Sequence, residues 1–378
     1  MKTVLIGLGR QGYRILELLL QAGIDEVDIF DIQKDRILKA EKDFGKKVRP
    51  LEKNPLALEA ERLVETLAEY GLVLDALPST LSYRLMRAAV EAGTKMVSVS
   101  FLEEDFMSLD KAARKTGSLV IPDCGGAPGF SHMMAGYSVN ALRGAEKVIM
   151  KVGAIPAVPE PPFFHSLTWS VEDLLEEYFR PAKCRKNGIH LAPDPFEDIE
   201  EENIQGLPLQ SFLSDGARSF LANYPKVAWV EERTLRHHGH MDFMKPFQEV
   251  GFLSRDAVTL GNQKIPAFQA LAAMLEKSFP GETEEDRFVM QVEIFGKNGT
   301  HRHEYNMPFN REHQVFGLVN SVAVTAVEAA AMILDGTIDE SGILPLELLG
   351  QEERFARMSG AHRDQGAMVT LEMKSVEC

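Results

Sequence analysis

The first chemically distinctive stretch of the chain is GLGRQG at residues 7–12, a G-x-G-x-x-G sequence. It follows an apolar run at residues 2–6 that has the length of a strand, and it opens a segment with helical spacing of apolar residues. In that setting Gly7 allows a tight turn, Gly9 lets the backbone approach a pyrophosphate, and Gly12 allows close packing of helix on strand. The pattern predicts a dinucleotide-binding turn.

An acidic residue stands where this fingerprint expects one, about 20 residues further on. Asp31 closes the segment VDIFD, which is predicted to be the second strand. A carboxylate there accepts hydrogen bonds from ribose hydroxyls and repels a 2′-phosphate, so we expect NAD rather than NADP. Arg10 and Gln11 open the predicted helix, whose N-terminus favours the pyrophosphate, and we expect both to bind the cofactor.

Two later predicted strands, at residues 72–77 and 95–99, end in polar or turn-forming residues. In an open parallel sheet the ligand lies beyond the carboxyl ends of the strands. We therefore expect these residues to line the cofactor: Leu77, Pro78, Ser79, Ser98 and Ser100. The alternative for the serines is that they cap the helices that follow them.

Strand and helix patterns alternate through the first 122 residues, which predicts an α/β fold with a Rossmann-type doubly wound parallel sheet. Glycines and prolines interrupt the pattern at residues 125–129, and an α+β substrate-binding and oligomerisation domain is expected after them. Residues 314–334 carry no charged side chain except Glu328 and predict a buried helix. We expect residues 1–124, completed by 314–378, to form the first domain and residues 125–313 the second.

The composition narrows the class of protein. The 378 residues include 41 Lys plus Arg against 56 Asp plus Glu, a net charge of −15 without a basic cluster, so nucleic acid is not an expected partner. No run approaches 18 consecutive apolar residues, and the N-terminus lacks a signal-peptide pattern. Three cysteines are too few for a disulfide framework. We expect a cytoplasmic protein without a membrane span.

Three further segments are distinctive: PDCGGAPGFSHMMAG at residues 122–136, GAIPAVPEPPFFHSLTWSVEDLLEEYFRPA at 153–182, and ERTLRHHGHMDFM at 232–244. Together with the fingerprint and VSVSF at 97–101, they resemble the saccharopine dehydrogenase family, and within it the lysine 6-dehydrogenase branch most. The resemblance implies a Rossmann domain, a middle domain whose sheet is used in dimerisation, and a C-terminal helix that returns to the first domain. A homodimer or a higher homo-oligomer is therefore expected.

The resemblance also implies oxidation at an amine carbon of an amino-acid substrate. Saccharopine-reductase-type sequences read D-P-G-x-D-H, whereas this chain has Ser131 in place of the second aspartate, as in the lysine 6-dehydrogenase pattern. We therefore expect NAD-dependent oxidative deamination of the ε-amine of L-lysine to the 6-semialdehyde, with release of ammonia. An alkaline pH optimum follows, because the ammonium group must first lose a proton (pKa about 10.4).

The resemblance assigns roles to further residues. Arg236 is expected to bind a substrate carboxylate in a bidentate fork, or else to form a surface ion pair. His240 would act as an acid or base beside His132, or would be a structural histidine. Ser131 and Trp169 would line the substrate, although Trp169 fits a core position equally well.

Some features leave alternatives open. His165 and Ser166 stand where the family often reads Tyr-Lys, so another amine or another proton carrier is conceivable. The alternatives are a saccharopine- or carboxynorspermidine-type dehydrogenase acting on a secondary amine or imine, and a non-catalytic NAD-binding regulator. The histidines at positions 237, 238 and 240 lack the spacing of metal ligands on a helix, so we expect no metal.

Overall fold

The computed structural model describes residues 1–166, 171–277 and 285–375. The strands in these ranges are β1 (Thr3–Ile6), β2 (Val27–Phe30), β3 (Val48–Pro50), β4 (Leu72–Asp75), β5 (Lys95–Ser98), β6 (Leu119–Ile121), β7 (Lys147–Pro156), β8 (Cys184–Lys186), β9 (Ile189–Leu191), β10 (Ile199–Ile204), β11 (Leu207–Ser214), β12 (Trp229–Arg236), β13 (Ala257–Leu260), β14 (Gln263–Pro266), β15 (Asp286–Gly296), β16 (Gly299–Pro308), β17 (Gly342–Ile343) and β18 (Met368–Ser375).

The helices in the same ranges are α1 (Arg10–Gln21), α2 (Lys34–Phe44), α3 (Ala60–Ala68), α4 (Ser79–Ala92), α5 (Asp110–Thr116), α6 (Phe130–Ala141), α7 (Val171–Glu176), α8 (Arg218–Asn223), α9 (His240–Glu249), α10 (Ala267–Leu275), α11 (Gly317–Leu334) and α12 (Glu352–Asp364). Short 3₁₀ turns lie at Gly45–Lys47, Pro55–Ala57, Phe106–Leu109 and Leu346–Leu349.

The chain divides into two compact units, and both are discontinuous in sequence. The first unit contains Met1–Tyr137 and Val319–Gln365, and the second contains Ser138–Leu318 and Gly366–Cys378. The first unit thus extends past the expected boundary at residue 124. Gly136 of α6 accounts for this, because a Cβ there would lie 2.1 Å from the carbonyl oxygen of Glu347, so the two backbones are in direct contact.

The first unit is built on a seven-stranded sheet in the order β17-β6-β5-β4-β1-β2-β3, and every pairing in it is parallel. The predicted doubly wound α/β fold is confirmed. The strand order reverses between β1 and β4, and the crevice at the carboxyl ends of these two strands is where such sheets bind ligands. Residues of β1, β2 and β4 are buried throughout, as expected for strands covered on both faces.

Helix α11 belongs to the first unit from its third residue, Val319, onward. Arg14 of α1 donates from Nε to Oδ1 of Asn320 over 2.9 Å, and Thr325 bonds His362 of α12 over 3.1 Å. By length and composition α11 could span a membrane, but 78% of it is buried within the protein, as in the core helix of a globular fold. The expected apolar helix at residues 314–334 is confirmed, with its start at Gly317.

The second unit contains a nine-stranded mixed sheet whose path runs β10-β11-β12-β7-β15-β16-β18, with β8 and β9 branching from β12. Only β12 and β7 are parallel within that path. Helices α7, α9 and α10 form an apolar cluster around Tyr178 and Phe212. Tyr178 of this cluster is hydrogen-bonded to Arg236 and His240, which are described below.

The expectation that the chain's last residues belong to the first domain is wrong. Strand β18 pairs antiparallel with β16 over eight residues, from Asn306 with Met368 to Gly299 with Ser375. The reason is the open edge of β16, whose backbone N–H and C=O groups need partners. The alternating sequence MVTLEMKS supplies them, because it suits an edge strand with one polar face.

Candidate active site

The glycine turn between β1 and α1 has the shape that its sequence predicts. Gly7 has φ +98°, and a Cβ there would lie 2.4 Å from the carbonyl oxygen of Ala76, which follows β4. A Cβ on Gly12 would lie 2.0 Å from the carbonyl oxygen of Gly7. Gly9 differs, because a Cβ there would meet only Arg36, with Nη1 3.9 Å away. The turn is therefore closed behind Gly7 and Gly12 and open in front of Gly9.

The N-terminus of α1 adjoins that open space. The helix begins at Arg10, which is exposed, and Gln11 is half-buried. The N-cap residue of the helix is Gly9, which has no side chain with which to cap it. An uncapped helix N-terminus with open space before it can take an anion such as a pyrophosphate. The residues present thus fit a dinucleotide cofactor.

Asp31 lies directly after β2 and is fixed beside the glycine turn. Its Oδ2 accepts a hydrogen bond of 2.7 Å from the backbone N–H of Leu8, and its Oδ1 accepts one of 2.8 Å from the N–H of Gln33. Arg36 of α2 also donates to Oδ2, over 3.3 Å. The carboxylate is therefore held at the place where a ribose-binding acid is expected, together with a cation that sequence analysis did not single out.

Ser98 and Ser100, which are predicted to line the cofactor, both donate hydrogen bonds within the protein. Ser98 donates to Oδ2 of Asp75 over 2.7 Å, and Ser100 donates to the carbonyl of Leu77 over 2.7 Å. Ser82 also donates to Asp75, whose other oxygen accepts the N–H of Leu77 over 3.0 Å. The serines therefore hold the turn after β4 through a buried carboxylate, and burial raises the pKa of Asp75.

The turn after β4 presents its other residues at the surface. Leu77 and Ser79 are half-buried, and Pro78 is exposed. They lie at the carboxyl end of β4, next to β1 in the sheet. Their predicted place along a bound cofactor fits this location.

The first turn of α6 holds two predicted site residues of the first unit. Ser131 is fully buried, and its hydroxyl has no hydrogen-bond partner among the described residues. His132 is also buried, with Nδ1 3.4 Å from Oε2 of the buried Glu347. At this distance the carboxylate forms an ion pair with the imidazole when the ring is protonated. Sequence analysis missed Glu347, since its contact with His132 is visible only in the fold.

Arg236, at the end of β12 in the second unit, is neither an open carboxylate clamp nor a surface ion pair. Its side chain is 1% exposed. Nη2 donates to Oε2 of Glu177 over 2.5 Å, Nη1 to the carbonyl of Leu235 over 2.9 Å, and Nε to the hydroxyl of Tyr178 over 3.2 Å. A substrate carboxylate would have to replace Glu177, whose side chain is 28% exposed, to reach the guanidinium.

Both ring nitrogens of His240 are hydrogen-bonded within the protein, as the structural alternative for this residue requires. Its Nδ1 lies 2.6 Å from the carbonyl of Phe163, which only accepts, so Nδ1 carries the proton. Nε2 therefore accepts the hydrogen bond of 2.6 Å from the Tyr178 hydroxyl. Burial, together with the charge of Arg236, lowers the pKa of His240 to about 3. The imidazole is neutral, and its proton points to a group that cannot take it.

His165 is the first of the two residues that stand where the family often reads Tyr-Lys. It lies beside the hydrogen bonds that join Arg236, Tyr178 and His240. Its ring centroid is 5.2 Å from that of His240 in an edge-on arrangement. Burial and the charge of Arg236 hold its pKa well below its usual range. Ser166 is buried as well. The predicted substrate wall, Trp169, lies outside the described residues.

Histidines 237 and 238 have other partners. His237 donates from Nε2 to the carbonyl of Pro156 over 3.0 Å, and His238 lies 3.3 Å from Glu201. Within the described ranges no three His, Cys, Asp or Glu side chains are grouped so that they could hold a metal ion.

A parallel sheet with an open glycine turn and an acid after β2 defines a dinucleotide-binding protein. Two family models match the chain: the saccharopine dehydrogenase NADP binding domain at residues 3–121, and the saccharopine dehydrogenase C-terminal domain at residues 125–360. The chain belongs to the saccharopine dehydrogenase family, as its sequence motifs predict.

Similar proteins carry related names. The mitochondrial alpha-aminoadipic semialdehyde synthase of Bos taurus is 24% identical over 273 residues, which are 68% of this chain and 29% of that protein. The NADP(+), L-glutamate-forming saccharopine dehydrogenase of Schizosaccharomyces pombe is 23% identical over 220 residues, 54% of this chain and 48% of that protein. The chain thus matches half or less of the length of these two relatives.

A solved structure is similar to this chain over nearly its whole length. The L-Glu-forming saccharopine dehydrogenase of Saccharomyces cerevisiae, in its apo form, superposes with a TM-score of 0.78 and 18% sequence identity. The match covers 99% of this chain and 100% of that one. At this identity the likeness shows a shared fold.

The buried, neutral state of His240 predicts a pH-dependent stability. The unfolded chain binds a proton at His240 below about pH 6.5, whereas the folded chain does so only near pH 3. The contribution of His240 to the free energy of unfolding is therefore highest above pH 6.5. It falls as the pH drops toward 3, because only the unfolded chain takes up the proton in that range. His240→Gln should reduce the loss in free energy of unfolding between pH 7 and pH 5 by ~2 kcal/mol.

Chemical denaturation at the two pH values measures this difference. His238→Gln removes an exposed neighbouring imidazole and should leave the wild-type pH dependence intact. Equal pH dependence in His240→Gln and wild type would show that the imidazole is not held neutral.

Proposed function

We propose that this protein is an NAD-dependent amino-acid dehydrogenase that oxidises the ε-amine of L-lysine to the 6-semialdehyde and releases ammonia. Membership of the saccharopine dehydrogenase family supports the amino-acid dehydrogenase class. The choice of a primary amine rests mainly on Ser131.

Ser131 is a buried polar group without a hydrogen-bond partner among the described residues. Such groups are uncommon in folded proteins because leaving a hydroxyl unpaired costs about 1–3 kcal/mol. A bound ligand would satisfy this hydroxyl. The next residue in the first turn of α6, His132, lies with Nδ1 3.4 Å from Oε2 of Glu347. Since Ser131 carries no charge, it supplies no fixed anion of the kind that the saccharopine-reductase pattern has at this position.

The cofactor site supports NAD. Asp31 holds a carboxylate beside the glycine turn, where it would accept the hydrogens of ribose hydroxyls and repel a phosphate. Gly7, Gly9 and Gly12 give the backbone room for the pyrophosphate. When bound, the nicotinamide ring supplies the acceptor for the hydride that leaves the amine carbon.

The overall reaction converts lysine, NAD⁺ and water to the semialdehyde, ammonium, NADH and a proton. The chain's residues must bind an amine that has lost its extra proton, and then admit water to the resulting substrate imine. The imidazole of His132, which lies 3.4 Å from Glu347, is the group that we assign to move a proton at the amine nitrogen. His240 is assigned to position Tyr178 and Arg236 rather than to exchange protons.

The names of the relatives favour a second candidate, oxidation of the secondary amine of saccharopine. The two candidates share the cofactor and differ in the group attached to the amine nitrogen. Saccharopine needs a site for an additional dicarboxylate portion. An assay that offers lysine and saccharopine as alternative substrates separates the two candidates.

The assay follows NADH formation at about pH 9–10, where a larger share of lysine amine is neutral. We expect turnover with lysine, release of ammonia and no turnover with saccharopine. Turnover with saccharopine and none with lysine would refute the proposal in favour of the second candidate.

In that assay, Ser131→Ala tests whether the buried hydroxyl of Ser131 binds the substrate. Removal of the hydroxyl should lower kcat/KM for lysine by about tenfold or more. Thermal stability should stay unchanged, because the hydroxyl has no hydrogen-bond partner among the described residues to lose. Ser219→Ala, which removes another buried hydroxyl without a described partner, should leave kcat/KM unchanged. Equal activity of Ser131→Ala and wild type would contradict the role of Ser131.

The ion pair of Arg236 with Glu177 generates a second prediction. If a substrate carboxylate must displace Glu177, Glu177→Gln should lower the KM for lysine by about three- to tenfold, because a neutral amide competes less well for a guanidinium. The KM for 1,5-diaminopentane, which lacks the carboxylate, should not change.

Glu176→Gln is the matched control, since Glu176 pairs with Arg180 and Arg255 instead. A raised KM for lysine in Glu177→Gln, with the control unaffected, would mean that Arg236 does not receive the substrate carboxylate.

A further inference from the structure

A surface cleft in the second unit is lined mainly by basic and apolar side chains. It is formed by residues in and next to the β8–β9 hairpin and α8, and its volume is about 580 Å³. Four of its lining residues carry or can carry a positive charge: Lys183, Arg185, His190 and Arg218. None of the described residues that line this basic cleft is acidic. On a chain whose net charge is −15, such a grouping creates a local preference for an anion.

Arg185 is the buried cation of the basic cleft, with 3% of the residue exposed. Its Nη1 donates to the carbonyls of Tyr224 and Val227, over 2.9 Å and 3.0 Å. Its Nη2 donates to the carbonyl of Leu221 over 2.6 Å. These neutral acceptors fix the guanidinium without cancelling its charge, and a buried charge is costly unless it is paired. An anion in the basic cleft would supply the opposite charge.

One edge of this guanidinium faces a partner that can be replaced. Nε and Nη2 of Arg185 both donate to Nε2 of His190, over 3.4 Å and 3.2 Å, and these are the longest of its five hydrogen bonds. One imidazole lone pair serves two donors there, whereas a carboxylate or phosphate offers two oxygens that match such an edge. His190 is exposed, and among the described strands its strand β9 pairs only with β8. The imidazole is therefore free to move aside for an oxyanion.

The rest of the lining suits an organic ligand with more than one negative charge. Arg218 is half-buried, and Lys183 is exposed, with Nζ 3.7 Å from Oδ2 of Asp215. Both are placed to contact a second anionic group of a ligand that is held by Arg185. Leu221 adds apolar surface for the ligand's carbon atoms.

The basic cleft is distant from the proposed amine site of the same unit. Arg185 pairs with Val230 near the start of β12, and Arg236 ends that strand. Six residues of a strand span ~20 Å. A ligand in the basic cleft is therefore not the substrate that Arg236 would receive.

We propose that the basic cleft binds a small organic anion that carries at least two negative charges on carboxylate or phosphate groups. One oxyanion group takes the Nε–Nη2 edge of Arg185 in place of His190. Arg218 and Lys183 bind the remaining negative charge. This site is independent of the dinucleotide and of the amine substrate.

The test is calorimetric titration of citrate and, separately, of inorganic phosphate into the full chain at constant ionic strength, without dinucleotide or amine. We expect saturable binding, and the probe that binds more tightly identifies the ligand as a carboxylate or a phosphate. Arg218→Met should weaken this binding about tenfold or more, because a charge-assisted contact is lost. His190→Ala should strengthen it about three- to tenfold, because the competing acceptor is removed.

Lys264→Met is the matched control, because Lys264 is an exposed cation of β14 in the same unit and is not a lining residue of the basic cleft. It should leave the Kd of either anion unchanged. Arg185 is kept in every variant, since its replacement would leave three backbone carbonyls without their donor. The proposal is overturned if neither anion binds saturably, if Arg218→Met and Lys264→Met have equal effects, or if His190→Ala leaves binding unchanged or weaker.

Discussion

Backbone contact at the glycine turn is the constraint on which the first unit's site depends. Gly7 lies against the carbonyl that follows β4, and Gly12 lies against the carbonyl of Gly7, both at distances that exclude any Cβ. These contacts draw the start of α1 into the crevice between β1 and β4. They also bring the N–H of Leu8 to Asp31, so the turn and the acid after β2 form one structure. The open face of Gly9 follows from the same geometry.

A different constraint organises the second unit, namely the burial of a permanent cation. Arg236 is buried beside Tyr178 and Phe212 of an apolar cluster, and a buried charge is costly unless it is paired and hydrogen-bonded. Glu177 supplies the opposite charge, while Tyr178 and His240 extend the hydrogen bonds to the carbonyl of Phe163. A protonated His240 would no longer accept from Tyr178 and would face Arg236 with like charge, which explains why its neutral form is favoured.

The parts of this site that sequence could predict are those encoded in a few consecutive residues. The glycine turn and Asp31 belong to a local strand–turn–helix–strand pattern, so their arrangement follows from spacing alone. The contacts of Arg36, Glu177 and Glu347 could not be predicted, because they depend on side-chain directions and on tertiary neighbours. Asp75 was missed for the same reason, and the serines expected at the cofactor turned out to bind it. The partner of β18 depends on which sheet edge is free.

The central claim is that the space before Gly9 receives the pyrophosphate of a nicotinamide dinucleotide, and titration of Gly9→Val with NADH tests it most directly. Gly9 has φ −64°, which a residue with a side chain can adopt, and a Cβ there meets only Arg36. We predict that Gly9→Val folds with a melting temperature close to that of wild type and shows no measurable NADH binding. A folded Gly9→Val that binds NADH with wild-type affinity would contradict the account.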